Sequence, residues 1–374
     1  MSGPKFRADH VGSLLRPAPI ADARAAHMPD GQLHSGPELR DIEDREIAAA
    51  VRMQEDVGLA AVTDGEFRRS FWHYDFMDGL DGLDLEYRPE TSGIAFAGSV
   101  SIKPFHATIT DTISFPADHP MLDHFRYLAS VTSVTPKISI PGPSACHFRT
   151  AAADIAPEQY RDLDVLLADV ATAYADAVAA FYTAGCRYLQ LDDIFFAYLC
   201  DENQREAKRA EGFDPDHLIA AYADTLEQAI CDRPDDMTIA MHMCRGNFRS
   251  THVASGGYDP AVDAIFNRTS VDVYFMEYDT DRAGGLEPLS LLPKGDKRVM
   301  PGFITTKTAE LESIDDLRRR FDEASAYADL AQLGIAPQCG FASTEEGNVI
   351  TPDDQRAKLE LVAATAEAIW GGVI

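Results

Sequence analysis

The chain reads as an α/β protein of the (β/α)8 TIM-barrel class. Three observations predict this. Eight short apolar, β-branched runs are spread through its 374 residues. Amphipathic helical patterns separate most of them. The polar residues suited to chemistry gather where the runs end. Strand–helix alternation implies a parallel sheet with right-handed crossovers, and eight strands favour a closed barrel over an open sheet.

The expected strands are His10–Leu14, Ala60–Asp64, Lys137–Ile140, Tyr188–Asp192, Thr238–Cys244, Val271–Glu277, Val299–Thr305 and Ile335–Phe341. Each is a run of about five to seven mostly apolar residues, the usual strand length. The expected helices are Glu38–Val57, closed by Gly58; Pro157–Ala184, alanine-rich and closed by Gly185; Pro215–Ile230; Ser313–Leu333, with a Ser cap, acids in its first turn and Gly334 beyond; and Pro352–Trp370. The last follows Thr351, an N-cap residue with proline in the first helical position. Residues 71–130 break this rhythm. They are rich in Gly, Asp, Thr and aromatics, and Ile109-Thr-Asp-Thr-Ile113 alternates. They are expected to be an insertion after strand two, holding a β-hairpin and covering the catalytic face. Residues 1–374 are read as a single domain, without internal repeats or low-complexity segments.

Composition narrows the function. With 33 basic and 61 acidic residues the net charge is −28, which argues against nucleic acid and against anionic membrane surfaces as partners. No run approaches the ~20 apolar residues of a membrane span, and the N-terminus lacks the apolar core of a signal peptide. Six cysteines are too sparse for a disulfide scaffold in a chain this long. A reduced, cytoplasmic setting is expected.

The most informative stretch is Met241-His-Met-Cys-Arg245. Residues i and i+2 of a strand share a face, so His242 and Cys244 can grip one ion. Cys339 and Glu277 end two later runs. One His, two Cys and one Glu suit zinc, which accepts mixed S, N and O donors. The competing reading of His242 and Cys244 is plain packing, and Glu277 could instead support the ligands from behind. Zinc held by thiolates can take a substrate thiol and keep it deprotonated, which points to alkyl transfer onto sulfur. Asp192 and Asp193 follow a buried run and could bind an ammonium, act as a base, or cap a helix. Glu66 could bind the same ammonium or pair with Arg68 or Arg69. Ser13, after Gly12, could help receive a carboxylate or simply turn the chain. Lys307 is a candidate catalytic group, or an anchor for a substrate anion, or a partner of Glu310. No dinucleotide fingerprint, P-loop or nucleophile elbow is present.

These stretches resemble a known family. His10-Val-Gly-Ser13, Thr63-Asp-Gly-Glu66, Ile140-Pro-Gly-Pro143, Leu189-Gln-Leu-Asp-Asp193, Met241-His-Met-Cys244, Phe275-Met-Glu277, Pro301-Gly-Phe303 and Pro337-Gln-Cys-Gly340 match, in order and spacing, the catalytic C-terminal domain of cobalamin-independent methionine synthases. The resemblance covers nearly the whole chain and implies a (β/α)8 barrel. It implies that His242, Cys244, Glu277 and Cys339 ligate zinc, and that Ser13, Glu66 and Asp192 hold the amino-acid end of homocysteine. The expected reaction is transfer of a methyl group to the homocysteine thiol, with Lys307 and Asp193 as the catalytic candidates. The chain looks like the short, single-domain branch of that family. Two departures fall on the methyl-donor side. Lys307 stands nearest to where the synthases carry a catalytic histidine, and His147-Phe-Arg149 stands where they carry a tryptophan. The donor is therefore open among a methylated folate, a corrinoid protein and another methylated small molecule, and a homo-oligomer is compatible with the sequence. The alternative within the same chemistry joins an epoxide to a thiol such as coenzyme M, or reverses that joining. The alternative outside it is a non-enzymatic barrel with structural zinc.

Overall fold

The computed structural model describes residues 3, 5–28, 32–33, 36–91 and 103–374. Its strands are β1 (Ala61–Val62), β2 (Asp81–Tyr87), β3 (Phe105–Ser114), β4 (Thr135–Pro136), β5 (Ile138–Pro141), β6 (Thr150–Ile155), β7 (Tyr188–Asp192), β8 (Thr238–Met243), β9 (Val273–Glu277), β10 (Arg298–Ile304) and β11 (Ala336–Pro337).

Six of them make one parallel sheet in the order β11-β10-β9-β8-β7-β5. The sheet then curls closed. β4 pairs in parallel with β1, and Lys137 N donates to Val62 O at 2.8 Å, so β4 runs on into β5. The remaining gap is filled by the N-terminal segment. Ala8 bridges Ile335 in parallel, Thr63 Oγ1 donates to Gly12 O at 2.6 Å, and Leu14 N donates to Gly65 O at 3.0 Å. This is the α/β barrel that the alternation predicts. The first strand is displaced from its expected place: it pairs at Ala8, and no strand covers 10–14. Gly12, at φ 140°, takes the chain out of extended conformation there.

Strands β7, β8 and β9 are buried along their whole length, as expected for a parallel sheet covered on both faces. Side chains alternate between the faces. Tyr188, Ala240, Val273, Phe275 and Met300 cluster with Phe6 and Ala336 inside the barrel. Leu189, Leu191, Met241, Met243, Tyr274 and Met276 join the larger core.

The helices Pro215–Ile230 and Pro352–Trp370 occur as expected. Asp214 caps the first by accepting from Asp216 N, and Thr351 with Asp354 forms a capping box on the second. The expected 157–184 helix begins as a 3-10 turn, Glu158–Arg161, and becomes α-helical over Leu163–Thr183 after Asp162 caps it. That helix is long and apolar enough to cross a membrane, but half of its apolar window is buried in the molecule. The expected Ser313–Leu333 helix is shorter, Ile314–Ala324. Ser325 Oγ donates to Phe321 O at 2.7 Å, and Tyr327 N turns back to Ala324 O, a local alternative that competes with further helical bonds. Between β1 and β4, strands β2 and β3 pair antiparallel, and β6 adds in parallel to β3. The helix Pro120–Val131 follows β3. Residues 92–102, within the expected insertion, lie outside the described residues.

One ion pair sits inside the barrel. Lys137, fully buried, donates to Asp9 Oδ1 at 2.7 Å and also to His10 O, while Tyr188 Oη donates to Asp9 Oδ2 at 2.6 Å. Burial pushes the lysine pKa down and Asp9 opposes this. Removing one partner leaves the other charged and unpaired in the core. Lys137→Met is therefore expected to cost about 3–5 kcal/mol in urea unfolding, and a Lys137→Met/Asp9→Asn double variant to recover part of that loss.

Candidate metal centre

Strand register builds the site. Asp192 and His242 are direct partners on β7 and β8, and both side chains point inward, two residues beyond the inward Gln190 and Ala240. Cys244, two residues past His242, keeps the same face. The chain after β11 delivers Cys339 and Gly340. One small cavity at this end of the strands is lined by Val11, Ser13, Glu66, Trp72, Asp192, Ile194, His242, Cys244, Gly246, Asn247, Cys339, Gly340 and Ser343.

Within it, the ligand atoms of His242, Cys244 and Cys339 lie within 4.8 Å of one another, all three residues buried. His242 Nδ1 is 3.4 Å from Asp192 Oδ1, and among the described residues neither ring nitrogen has a hydrogen-bond partner of good geometry. A buried ring nitrogen without a partner, beside two thiols, fits a metal of borderline softness. The protons are shared unevenly. Cys244 is held well below the usual thiol range, first because Cys339 directs its S–H at it and then, against burial, because His242 lies beside it. Cys339 is raised well above that range by the same hydrogen bond and by burial. Burial opposes charge on His242, but the Cys244 thiolate and Asp192 prevail and raise its pKa to about 10.

Glu277 adjoins this cluster but is already engaged. Its Oε2 accepts from Arg245 N at 3.0 Å and Asn247 Nδ2 at 2.8 Å; its Oε1 pairs with Arg282, and Lys307 Nζ lies 3.8 Å away. Burial raises its pKa, with Lys307 opposing.

Ser13, Glu66 and Asp192 stand at the cavity wall as a group. Glu66 follows Gly65 with φ 60°, a strained position for a residue with a side chain, and its amide donates to Asp64 Oδ1 at 2.9 Å. Its Oε1 accepts from Ser139 Oγ at 2.9 Å, and Arg69 lies 3.8 Å from Oε2. Burial raises its pKa to about 7; Arg69 lowers it and Asp192 adds to the rise. Asp192 Oδ1 accepts from Gln190 Nε2 at 2.7 Å. Ser13 Oγ accepts from Ala342 N at 3.3 Å.

Three expected residues do not line the cavity: Glu277, which lies behind the cluster, Asp193 and Lys307. Asp193 accepts from Ser144 Oγ, and burial raises its pKa to about 7; strand alternation sends it to the face opposite Asp192. Lys307 Nζ donates to Asp279 Oδ2 at 2.6 Å, so its ion-pair partners are Asp279 and, at 3.8 Å, Glu277, and not Glu310. Five lining residues, Trp72, Ile194, Gly246, Asn247 and Ser343, had no role in the sequence reading. Trp72, one of two tryptophans, lies six residues beyond Glu66. Asn247 lies three residues beyond Cys244, and Ser343 four beyond Cys339. Their closeness in sequence to candidate ligands was the available signal.

A family model for the catalytic domain of cobalamin-independent synthase matches residues 11–358. The chain belongs to this family. It is 45% identical to YxjH of Bacillus subtilis strain 168, an uncharacterized protein, over 98% of this chain and 95% of that one. A 5-methyltetrahydropteroyltriglutamate–homocysteine methyltransferase of Flavobacterium johnsoniae is 24% identical over 97% of this chain, which spans 42% of that protein's length. Among solved structures, a Listeria monocytogenes protein provisionally named a vitamin-B12-independent methionine synthase superposes with a TM-score of 0.76 at 36% identity, covering 99% of both chains. A B12-independent methionine synthase from Shewanella sp. W3-18-1, in complex with selenomethionine, superposes with a TM-score of 0.70 at 19% identity, covering 97% of both. These likenesses agree with the family resemblance and with the barrel.

Gly340 shows how tightly the family site is packed in this chain. A Cβ there would overlap the Ser13 hydroxyl. Gly340→Ala is expected to destabilise the protein by about 1–3 kcal/mol in chemical denaturation. Ser13→Gly on that background should restore most of the loss, because it removes the atom that the new methyl group meets.

Proposed function

We propose that the chain is a zinc-dependent methyltransferase acting on the thiol of homocysteine or a closely related small amino-acid thiol. The observation that carries this is the buried His242–Cys244–Cys339 set opening into the same cavity as Glu66 and Asp192. His242 Nε2 and the two sulfurs would hold the metal, three protein ligands being the pattern of a catalytic zinc with a position to spare. Glu277 is the candidate fourth donor, buried against the cluster and exchangeable for its present partners. When bound, zinc supplies the acceptor sulfur as a thiolate at neutral pH.

The chain's own residues then do the positioning. Glu66 and Asp192 carry two carboxylates on one cavity wall, an arrangement suited to the ammonium of an α-amino acid. Ammonium binding would hold Glu66 ionised. Ser13 presents its hydroxyl beside them for the carboxylate end. Asp192 also faces His242 Nδ1, fixing the ring so that Nε2 points to the ligand position. The sulfur lone pair forms the new S–CH3 bond as the donor–CH3 bond breaks, and that electron pair leaves with the donor. Two carboxylates facing the thiol also speak for an amino-acid acceptor over a sulfonate thiol of the coenzyme M type.

Zinc content and X-ray absorption at the zinc edge test the metal half. One zinc per chain is expected, with a sulfur ligand added when homocysteine binds, and Cys339→Ser should lose or weaken the metal. A zinc shell indifferent to homocysteine would overturn the reading in favour of a structural site. Steady-state methylation with methyl iodide as donor tests the acceptor half. Glu66→Gln and Asp192→Asn should each raise KM for homocysteine about tenfold or more, the value of a charge-assisted contact. In Glu66→Gln, which does not touch His242, KM for 4-mercaptobutyrate, which lacks the ammonium, should hardly change.

A further inference from the structure

A second, larger cavity opens beside the first. Its wall includes His147, Phe148, Arg149, Lys208, Glu211 and Phe213. All come from chain that follows β5 and β7, so it lies at the same end of the barrel as the thiol site. Arg149 is the unusual member. It is half-buried in a chain of charge −28, yet among the described residues no carboxylate lies within ion-pair range of its guanidinium, and its Nε is buried without a partner. Other half-buried arginines of this chain either pair with a carboxylate, as Arg88 does with Asp154 at 2.9 Å and Arg233 with Asp272 at 3.0 Å, or give their donors to backbone carbonyls, as Arg7, Arg16, Arg298 and Arg320 do. A desolvated cation left unpaired is costly.

The guanidinium is also held in place. It lies over the rings of Phe195 and Tyr198, 5.1 and 5.7 Å from their centroids, and it also bonds to the Tyr198 hydroxyl, which orients its flat donor edge and leaves its other donors without a carboxylate. Lys208 Nζ lies 4.3 Å from the Phe148 ring centroid and pairs with Glu211 at 2.7 Å. His147 Nδ1 is 2.6 Å from Tyr222 Oη; with the phenol donating, Nε2 carries a proton. Burial, with Lys208 adding, lowers this imidazole's pKa to about 4, so it is neutral.

The two cavities are separated by aromatic side chains. Phe148 stacks on Phe195 at 4.6 Å, and Phe195 reaches Trp72 of the thiol cavity at 6.3 Å. Tyr198, on which Arg149 rests, has its hydroxyl against Gly246, another thiol-cavity residue, where a Cβ would collide with it.

We infer that the second cavity is an oxyanion-binding site, in which the unpaired Arg149 fork, with Lys208 and His147 beside it, receives a carboxylate or phosphate group. Identification of the occupant as the anionic part of the methyl donor rests on the transfer function proposed above. A donor anchored there needs to pass only the Phe195–Tyr198 partition to present its methyl group to the thiol.

Calorimetric titration of the zinc-loaded full chain at constant ionic strength tests this, with inorganic phosphate in one arm and benzoate in the other. At least one should bind wild type saturably, and the preferred one distinguishes a phosphoryl from a carboxylate ligand. Arg149→Gln should weaken that binding at least tenfold, while Arg149→Lys, which keeps the charge but loses the fork, should fall between. Saturable binding of neither anion to wild type, or equal binding to both variants and wild type, overturns the site. Circular dichroism checks the fold of each variant, and the lysine variant keeps the test open if the glutamine variant does not fold. The response of wild-type zinc to homocysteine is read separately. Its absence, with anion binding intact and dependent on Arg149, would sink the transfer function and leave the anion site standing.

Discussion

Closure of the barrel by the N-terminal segment is the constraint on which the site depends. The parallel bridge from Ala8 to Ile335 joins the two ends of the chain, and the contacts above it are site contacts. Phe341 N donates to Ser13 O at 3.0 Å, Ser13 sits against Gly340, and Cys339 is the residue before that glycine. An open sheet of the same strands would leave Ser13 and Glu66 on one edge and Cys339 on the other. Closure turns two distant edges into one wall. The Asp9–Lys137–Tyr188 group lies just beneath, tying the first segment to β7 and to the start of β5.

Much of this architecture is written in local pattern. The runs of β7, β8 and β9 are buried on both faces, and the i, i+2 spacing of His242 and Cys244 follows from strand geometry alone. The helices 215–230 and 352–370 carry their own start signals in Asp214-Pro215 and Thr351-Pro352. The same alternation separates Asp192 from Asp193: neighbours on a strand face opposite ways, so only one can reach the cavity. What local pattern does not carry is pairing at a distance. β6 joins β3 across more than thirty residues, and nothing in Thr150–Ile155 announces its partner. The early end of the 314–324 helix is set by a serine hydroxyl and a turn, which the continuing alanines conceal. Asn247 and Trp72 reach the cavity through turns whose course depends on Gly246 and on the strained Glu66.

The two cavities differ in charge in a way that suits two different substrates. The first presents Glu66, Asp192 and a thiolate, with Arg69 at the rear of Glu66. The second presents Arg149 and Lys208 against a single Glu211. An acceptor bearing an ammonium and a donor bearing an anion would sort themselves between these fields, each disfavoured in the other's place. Low-dielectric surroundings sharpen that sorting, since unlike charges attract and like charges repel more strongly there than in water. Specificity of this kind comes as much from repulsion as from fit.

Charge balance within the first cavity explains how such an acidic, sulfur-rich centre is tolerated in a buried place. Burying Cys244 as thiolate beside Glu277 and Asp192 would be prohibitive if all nearby groups were also stripped of protons. Instead His242 holds a proton, at a pKa near 10, and Cys339 keeps its own. Binding of a divalent ion by His242, Cys244 and Cys339 requires those two protons to leave. Two positive charges enter and two depart, so the net charge of the buried cluster is the same with the metal or with the protons. The surrounding groups therefore face the same total charge in either state: Gln190 on Asp192 and Arg69 near Glu66 can stay as they are, and only Glu277 would exchange partners if it joined the metal.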